Sequence, residues 1–226
     1  TMLPLEGVKV LDFMWALAGP GATRTLADMG ATVIRVESSS RLDVIRTIRP
    51  FIDGDESPEK SALFHNTNAG KNLLSLDLTK PEGKAVALDL VRWCDVVTES
   101  FSPKAMKAFG LDYESLLEVN SDLIMLSTCL FGQTGPLSMF AGYGNLAAAI
   151  AGFYTITGWP GREPAGPFGA YTDYIAPRYN AAAILAALDH RDRAGEGQHI
   201  DLAQAESAMH FLTPAILDYM VNDKVQ

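Results

Sequence analysis

The chain has 226 residues, 48% hydrophobic and 20% charged, which supplies ample apolar material for a core and excludes a disordered tail. A formal net charge of −9 and a pI near 4.9 argue against non-specific nucleic-acid binding or an anionic membrane surface, so an anionic ligand must be met by local basic contacts. Two isolated cysteines, Cys94 and Cys129, without metal-ligand spacing or a disulfide framework, an opening segment that lacks a basic-then-apolar run, and no uninterrupted apolar stretch of ~18 residues give the expectation of a cytoplasmic protein.

Val8 to Phe13, VKVLDF, is a short aliphatic run ending near an acid, followed by Ala18-Gly19-Pro20-Gly21 and a helical pattern through Leu26 and Met29. Gly30 stands where a helix stops, and ATVIRVE, Ala31 to Glu37, supplies the next buried strand. So short a crossover predicts a parallel, doubly wound sheet with its ligands outside the carboxyl ends of the strands, where Trp15 to Ala18 and Ser38 to Arg41 fall. The turn is not GxGxxG, so a dinucleotide site is poorly supported. Trp15 can wall a ligand there or pack in the core.

Residues 38 to 60 are polar and without a sustained period, which predicts a long surface loop. Leu73 to Leu78 alternates as a strand does, Pro81 and Glu82 open a helix, and Asp95 to Ser100 reads as another strand. Two short helices, SPKAMKAFG and YESLLEVN, precede a buried strand at Leu123 to Thr128 and a Gly/Pro turn at Phe131 to Pro136. Gly144 to Gly158 is small and Ala-rich and suits a closely packed helix; Gln198 to Ala203 reads as a last strand, and one more helix follows. The fold class is α/β: an open, mostly parallel Rossmann-like sheet with helices on both faces.

Between these elements lies GAYTDYIAPRYNAAAILAALDHRDR, Gly169 to Arg193, a turn opening into an Ala-rich helix. Pro177 belongs in a first helical turn, which puts the helix start near Thr172 or Asp173 and Asp173 at or beside the N-cap. A carboxylate there is stabilised by unpaired N–H groups and the helix dipole by ~0.3–1 kcal/mol and is expected to stay ionised. It is then either a structural cap or a nucleophile. His65, His190, His199 and His210 show no paired spacing, and no metal cluster or P-loop is present in the sequence.

GVKVLDF followed by AGP, TLADMGATVIRVE, LSLDLTKPEGKAVALDLVRWCDVVTESFSP, FGLDYESL, LIMLSTCLFGQTGP and TDYIAPRYNAAAILAALDHRDRAGEGQHIDL occur here in an order that resembles the class III CoA-transferases, the family of formyl-CoA and carnitine CoA-transferases that also includes 2-methylacyl-CoA racemases. The resemblance spans nearly the whole chain, residues 1–226, as the N-terminal portion, or large-domain segment, of such an enzyme. It implies that Asp173 is a nucleophile that takes CoA from an acyl-CoA as a mixed anhydride and then an aspartyl-CoA thioester, and passes it to a carboxylic acid. It also implies a second, smaller domain beyond Gln226 and an interlocked dimer.

The CoA contacts implied by the resemblance are Leu17 and Ala18 after the first strand, Leu76, Asp77, Leu78 and Thr79 after the third, Ser100, Phe101 and Ser102 after the fourth, and the Gly142-Tyr143 turn. The chain departs from the family where arginines often follow the second strand and precede FGLDY: Ser38 and Ala108 stand there. Arg35, Arg41, Lys104 and Lys107 are the nearby cations that could meet CoA phosphates in their place. Gly142-Tyr143-Gly144 replaces the frequent Gly-Tyr-Asp, and no histidine stands beside it as a racemase would show. An acyl-CoA racemase or isomerase and a non-catalytic CoA-binding subunit of a heteromer are the alternatives. The last helix, from about Ala203, carries Ala205, Met209, Leu212 and Ile216 at helical spacing and more apolar residues past Pro214, which predicts a covered face in a homodimer or heteromer.

Overall fold

The computed structural model describes residues 2–225; Thr1 and Gln226, the ends of the expected 1–226 segment, lie outside the described residues. Among the described residues six strands form one parallel sheet: β1 (Lys9–Asp12), β2 (Thr32–Glu37), β3 (Asn72–Ser75), β4 (Val96–Glu99), β5 (Ile124–Cys129) and β6 (His199–Ala203), in the order β3-β2-β1-β4-β5-β6. The order reverses between β1 and β4, and the carboxyl ends flanking that reversal are where open α/β sheets place their ligands.

Neighbouring residues of a strand face opposite sides, and both sides are apolar. Val10, Val33, Val96, Ile124 and Leu126 pack under α1 (Ala18–Asp28), while the far end of the sheet's third connection, α3 (Pro81–Trp93), covers Leu11, Val97 and Met125 through Ala87 and Val91. Between α1 and β3 lies α2 (Ala62–Asn68); α4 (Ala105–Phe109) and α5 (Tyr113–Leu117) add Met106 and Leu116 to the second face. After β5 come α6 (Gly144–Ala151), α7 (Phe153–Ile156) and α8 (Tyr171–Ala194), and after β6 come α9 (Gln204–Met209) and α10 (Thr213–Asn222). α8 lies beside α1 and buries Ala181, Ile184, Ala187 and Leu188 in the first core.

Several boundaries differ from the sequence reading. The third strand ends at Ser75, short of Leu78, and Leu76 and Leu78 pack on the second core from the following turn. The Ala-rich run from Gly144 breaks at Gly152, whose φ of +104° no side-chain-bearing residue adopts easily. The 38–60 segment holds three short 3₁₀ turns and buries Asp43, Ile45 and Arg46. The last helix is two helices joined by a 3₁₀ turn at His210–Leu212; Ala205, Ala208 and Leu212 are buried, while Met209 and Ile216 are exposed. Among the described residues no helix is long and apolar enough to cross a membrane.

Gly83, in the first turn of α3, touches the turn after β3 so closely that a Cβ there would collide with the Asp77 carbonyl. Gly83→Ala is expected to lower stability by up to about 2 kcal/mol, because overpacking strain of ~1–3 kcal/mol outweighs the ~1 kcal/mol that alanine gains in helix propensity. Urea denaturation measures it, and a stabilised variant would show that the turn gives way.

Candidate active site

The site begins with a buried ionic cluster at the carboxyl end of β2. Arg35, fully buried, donates to Glu37 at 2.9 Å and to Asp43, and Arg46 donates to both oxygens of Glu37 at 2.8–3.1 Å. Burial alone would lift the Glu37 carboxyl, but Arg46, the Asp43 N–H and Arg35 bring it below its ordinary value. At Asp43 burial outweighs Arg35 and the amides of Ile45 and Ala16, and its carboxyl is raised. Both Asp43 oxygens also accept from the Ala16 N–H, at 3.0 and 3.1 Å. Ala16 has φ +61°, a left-handed conformation that costs an alanine about 1 kcal/mol and needs such an anchor. A second buried group backs the same turn: Asp12 accepts from Lys71 Nζ, Thr23, Thr98 and the Met14 N–H. Lys71 is desolvated to a pKa of about 8 despite that partner.

The turn so held carries Trp15, whose N–H donates to Ser100 Oγ at 2.9 Å and whose ring meets Phe101 edge-on at 5.9 Å. Trp15, Ser100 to Ser102, Cys129, the Ser138 to Tyr143 segment and Asp173 line one cleft of about 280 Å³ over the carboxyl ends of β1, β4 and β5. Asp173 also lines a second cavity on its other side, of about 560 Å³, between α1, α2 and α8.

Asp173 is the third residue of α8, which starts at Tyr171 with Ala170 at its cap, so it lies inside the first turn; it is not the N-cap. Pro177 is correspondingly in the second turn, not the first. A proline there leaves the Asp173 carbonyl without its helical donor, and its ring packs against α1 at Gly21, where a Cβ would come within 3.1 Å of Pro177 Cγ. Asp173 is 8% exposed, and its carboxyl accepts from the Gln204 side-chain amide, with the Gly144 N–H near enough to favour its charge. Burial raises its pKa, against the lowering effect of those two donors. The expected dipole-stabilised surface carboxylate is therefore a desolvated one. Gly144 permits the arrangement: a Cβ there would lie 2.6 Å from the Asp173 nitrogen and 2.8 Å from its Cγ. Thr172 Oγ1 ties the same two helices together by donating to the Gly144 carbonyl at 3.0 Å.

Of the residues singled out in sequence, Ala18, Ser100, Phe101, Ser102, Gly142, Tyr143 and Asp173 line the first cleft, and Leu17 with Asp173 lines the second cavity. Arg41 is exposed and stacks over Trp15 at 5.8 Å, on the rim; Ser38 pairs with it by a backbone bridge. Arg35 must be corrected: wholly enclosed and ion-paired on two sides, it has no surface left for a ligand. Leu76, Asp77, Leu78 and Thr79 form a turn beside β3 and line neither cavity, and Lys104 and Lys107 are exposed at and on α4, outside both. Sequence reasoning missed Gln204 and Asp43, and it marked Gly144 only as a departure from the family pattern, not as a neighbour of Asp173. Gln204 was reachable, because it immediately follows β6 at the carboxyl edge; Gly144 and Asp43 act through contacts 29 and 27 residues away in sequence, which no local pattern marks.

The family model for CoA-transferase family III matches residues 5–226. A succinate–glutarate CoA-transferase of Agrobacterium fabrum is 41% identical over 223 residues, 98% of this chain and 56% of that protein. The human succinyl-CoA:glutarate CoA-transferase is 36% identical over 98% of this chain and 50% of its own length. A crystal structure of a CaiB/BaiF family protein from Brucella suis superposes with a TM-score of 0.92 at 38% identity, covering all of this chain and 60% of that one. The chain thus spans about half the length of the curated relatives it matches.

Beneath the first cleft Glu99 is 2% exposed, accepts from the Phe101 N–H at 2.7 Å, and is pushed by burial to a pKa of about 7. Between about pH 4.5 and 7 the unfolded chain ionises this group while the folded one keeps its proton, so its contribution to stability falls as pH rises and levels off above 7. Glu99→Gln is expected to gain stability over the parent across that window, by up to about 3 kcal/mol at pH 8 and nothing at pH 4. Denaturant titrations at the two pH values check it; an equal offset at both would reject it.

Proposed function

The chain belongs to CoA-transferase family III, and on that premise we propose that Asp173 carries coenzyme A from an acyl-CoA donor to a carboxylic acid. The observation that carries the reading is one desolvated carboxylate, held by Gln204 and the Gly144 N–H and bordering two cavities. Desolvation makes that oxygen more basic and more nucleophilic. In the proposed sequence Asp173 attacks the thioester carbonyl and expels the CoA thiolate, leaving an acyl-aspartyl anhydride. The thiolate attacks the aspartyl carbonyl, releasing the donor acid and leaving aspartyl-CoA. An acceptor carboxylate repeats both steps in reverse and restores Asp173. Gln204 and the Gly144 N–H are the donors placed to stabilise charge on the aspartyl oxygen.

In this reading CoA lies in the cleft lined by Trp15, Ala18 and Ser100 to Ser102, next to Gly142 and Tyr143. Asp173 is the one charged side chain among that cleft's lining residues, so the CoA phosphates reach the rim, where Arg41 is the nearest of the proposed cations. No histidine lines the cleft, and the Cys129 thiol is pushed up to about 11, which supports transfer over an isomerase needing a second base. The substrates in the relatives' names support a short dicarboxylic acid as the acceptor class in this reading. We place the protein in the cytoplasm and read the chain as the large-domain part of the enzyme.

Asp173→Asn is expected to lower transfer at least ~10³-fold, as loss of a covalent nucleophile does, and to abolish hydroxylamine trapping at residue 173 after exposure to succinyl-CoA. Its stability at neutral pH is expected to match or exceed the parent's, because a buried charge is removed. Transfer at the parental rate would defeat the reading.

The α10 helix buries none of its residues, and Phe211, Leu217, Tyr219, Met220 and Val221 are each at least half exposed. We assign this face to a second polypeptide surface, with a homodimer as the expected form and upward of ~2,000 Å² buried. Sedimentation of the 226-residue chain at micromolar concentration is expected to give species above 24.4 kDa; a monodisperse, cooperatively melting monomer would overturn the assignment.

A further inference from the structure

Covalent CoA transfer through Asp173 brings two kinds of ligand, CoA and a free acid, to one carboxylate. While CoA is held on the aspartate its long chain fills the cleft by which it arrived, yet the donor acid must leave and the acceptor acid must come in before the cycle closes. Asp173 borders a second cavity, the groove of about 560 Å³ between α1, α2 and α8. The two approaches differ in charge. The first cleft is lined by no cation, whereas the groove is lined by Arg24 and Arg178, with Asp28 as its other charged residue besides Asp173.

The two guanidiniums are not equivalent. Arg24 is committed: Nη1 donates to the Asn66 carbonyl and side chain at 2.9 and 3.0 Å, and Nε lies 3.3 Å from Asp28. Arg178 folds back along α8 to donate to the Tyr174 carbonyl, a neutral acceptor, and meets no carboxylate among the described residues. That backward course brings its head beside Tyr174, the residue next to Asp173 in the chain. Asp173 and Arg178 line the same groove, so a short dicarboxylate lying in it can meet Asp173 with one end and Arg178 with the other.

We propose that the groove between α1, α2 and α8 is the passage for the free acid, and that Arg178 binds the far carboxylate of a dicarboxylic substrate there. The proposal rests on Asp173 being the CoA carrier. It assigns the two cavities separate duties, CoA on the side of Trp15 and Ser100, acid on the side of Arg178. It makes Arg178 a specificity residue: a guanidinium offers a charge-assisted, forked contact that a lone carboxylate can accept, and a monocarboxylic acid leaves it unused.

The test discharges a preformed intermediate. The intact protein is loaded with saturating succinyl-CoA and freed of the excess by rapid gel filtration, the aspartyl-CoA at residue 173 is quantified by hydroxylamine trapping, and its rate of discharge is then measured against glutarate concentration, the half-discharge concentration being the one that gives half the maximal rate. In Arg178→Gln the loading and the hydroxylamine rate are expected to stay at parental values while the half-discharge concentration rises about tenfold, the size of one lost charge-assisted contact. Arg178→Lys, which keeps the charge without the fork, is expected to fall between the two. Parental loading with an unchanged half-discharge concentration in Arg178→Gln would overturn the acid passage and leave Asp173 as the carrier. Absence of any trapped adduct in the unaltered protein would overturn both.

Discussion

The structure of the site depends on an interaction that touches no ligand, the buried cluster of Arg35, Glu37, Asp43 and Arg46. Four charges taken out of water are expensive, and ion pairs of this kind break even only when every donor and acceptor is used. Here the carboxylates are nearly saturated: Glu37 accepts from both arginines and from the Asp43 N–H, and Asp43 accepts from Arg35 and from the amides of Ile45 and Ala16. The last of these bonds couples the cluster to function. It holds Ala16 in a left-handed conformation, which aims Trp15 across to Phe101 and Ser100 and starts α1 at Ala18. The wall of the first cleft is therefore set by charges behind it, placed on the 38–60 segment and the end of β2.

The same logic of fixed neighbours around a costly group recurs at Asp173. Three elements distant in sequence converge on it: α8 supplies the carboxyl, α6 the Gly144 N–H, and the start of α9 the Gln204 amide, which also donates to Thr172 at 2.8 Å. Glycine at 144 and proline at 177 share one consequence, close approach of backbone to backbone around the carboxylate. The first lets α6 touch α8 without an intervening Cβ, and the second lets α8 lie against Gly21 of α1. A carboxyl enclosed from two sides by helices, and open on the remaining sides to two cavities, is desolvated yet reachable, which is what acyl chemistry at a carboxylate requires.

The departures from the family pattern take on a physical sense in this setting. Ser38 sits on the rim in a bridge with Arg41, so the cation available to an anionic ligand there is displaced by three residues and rests on the Trp15 ring. Gly144, where many members carry aspartate, has no Cβ to collide with Asp173, so its backbone comes up directly beside the reacting carboxyl.

By itself the sequence determined the six strands, their parallel arrangement, the carboxyl edge as the place of the site, and Asp173 as the residue to examine. These follow from local information: β-branched runs such as TVIRVE, turn residues such as Gly30, and the short crossovers that force right-handed parallel connection. What it left undecided was the duty of each charge. Arg35 and Arg41 are six positions apart in similar company, yet one is enclosed by two acids and the other lies on the rim; only the return of Asp43 over β2 separates them. Likewise the dipole argument for Asp173 holds for the first turn of any helix, but whether the carboxyl is hydrated or desolvated depends on Gly144 and Gln204 arriving from 29 and 31 residues away. Tertiary structure alone decides this, because solvation and ion pairing depend on distance in space, and the chain's local pattern constrains only distance along the backbone.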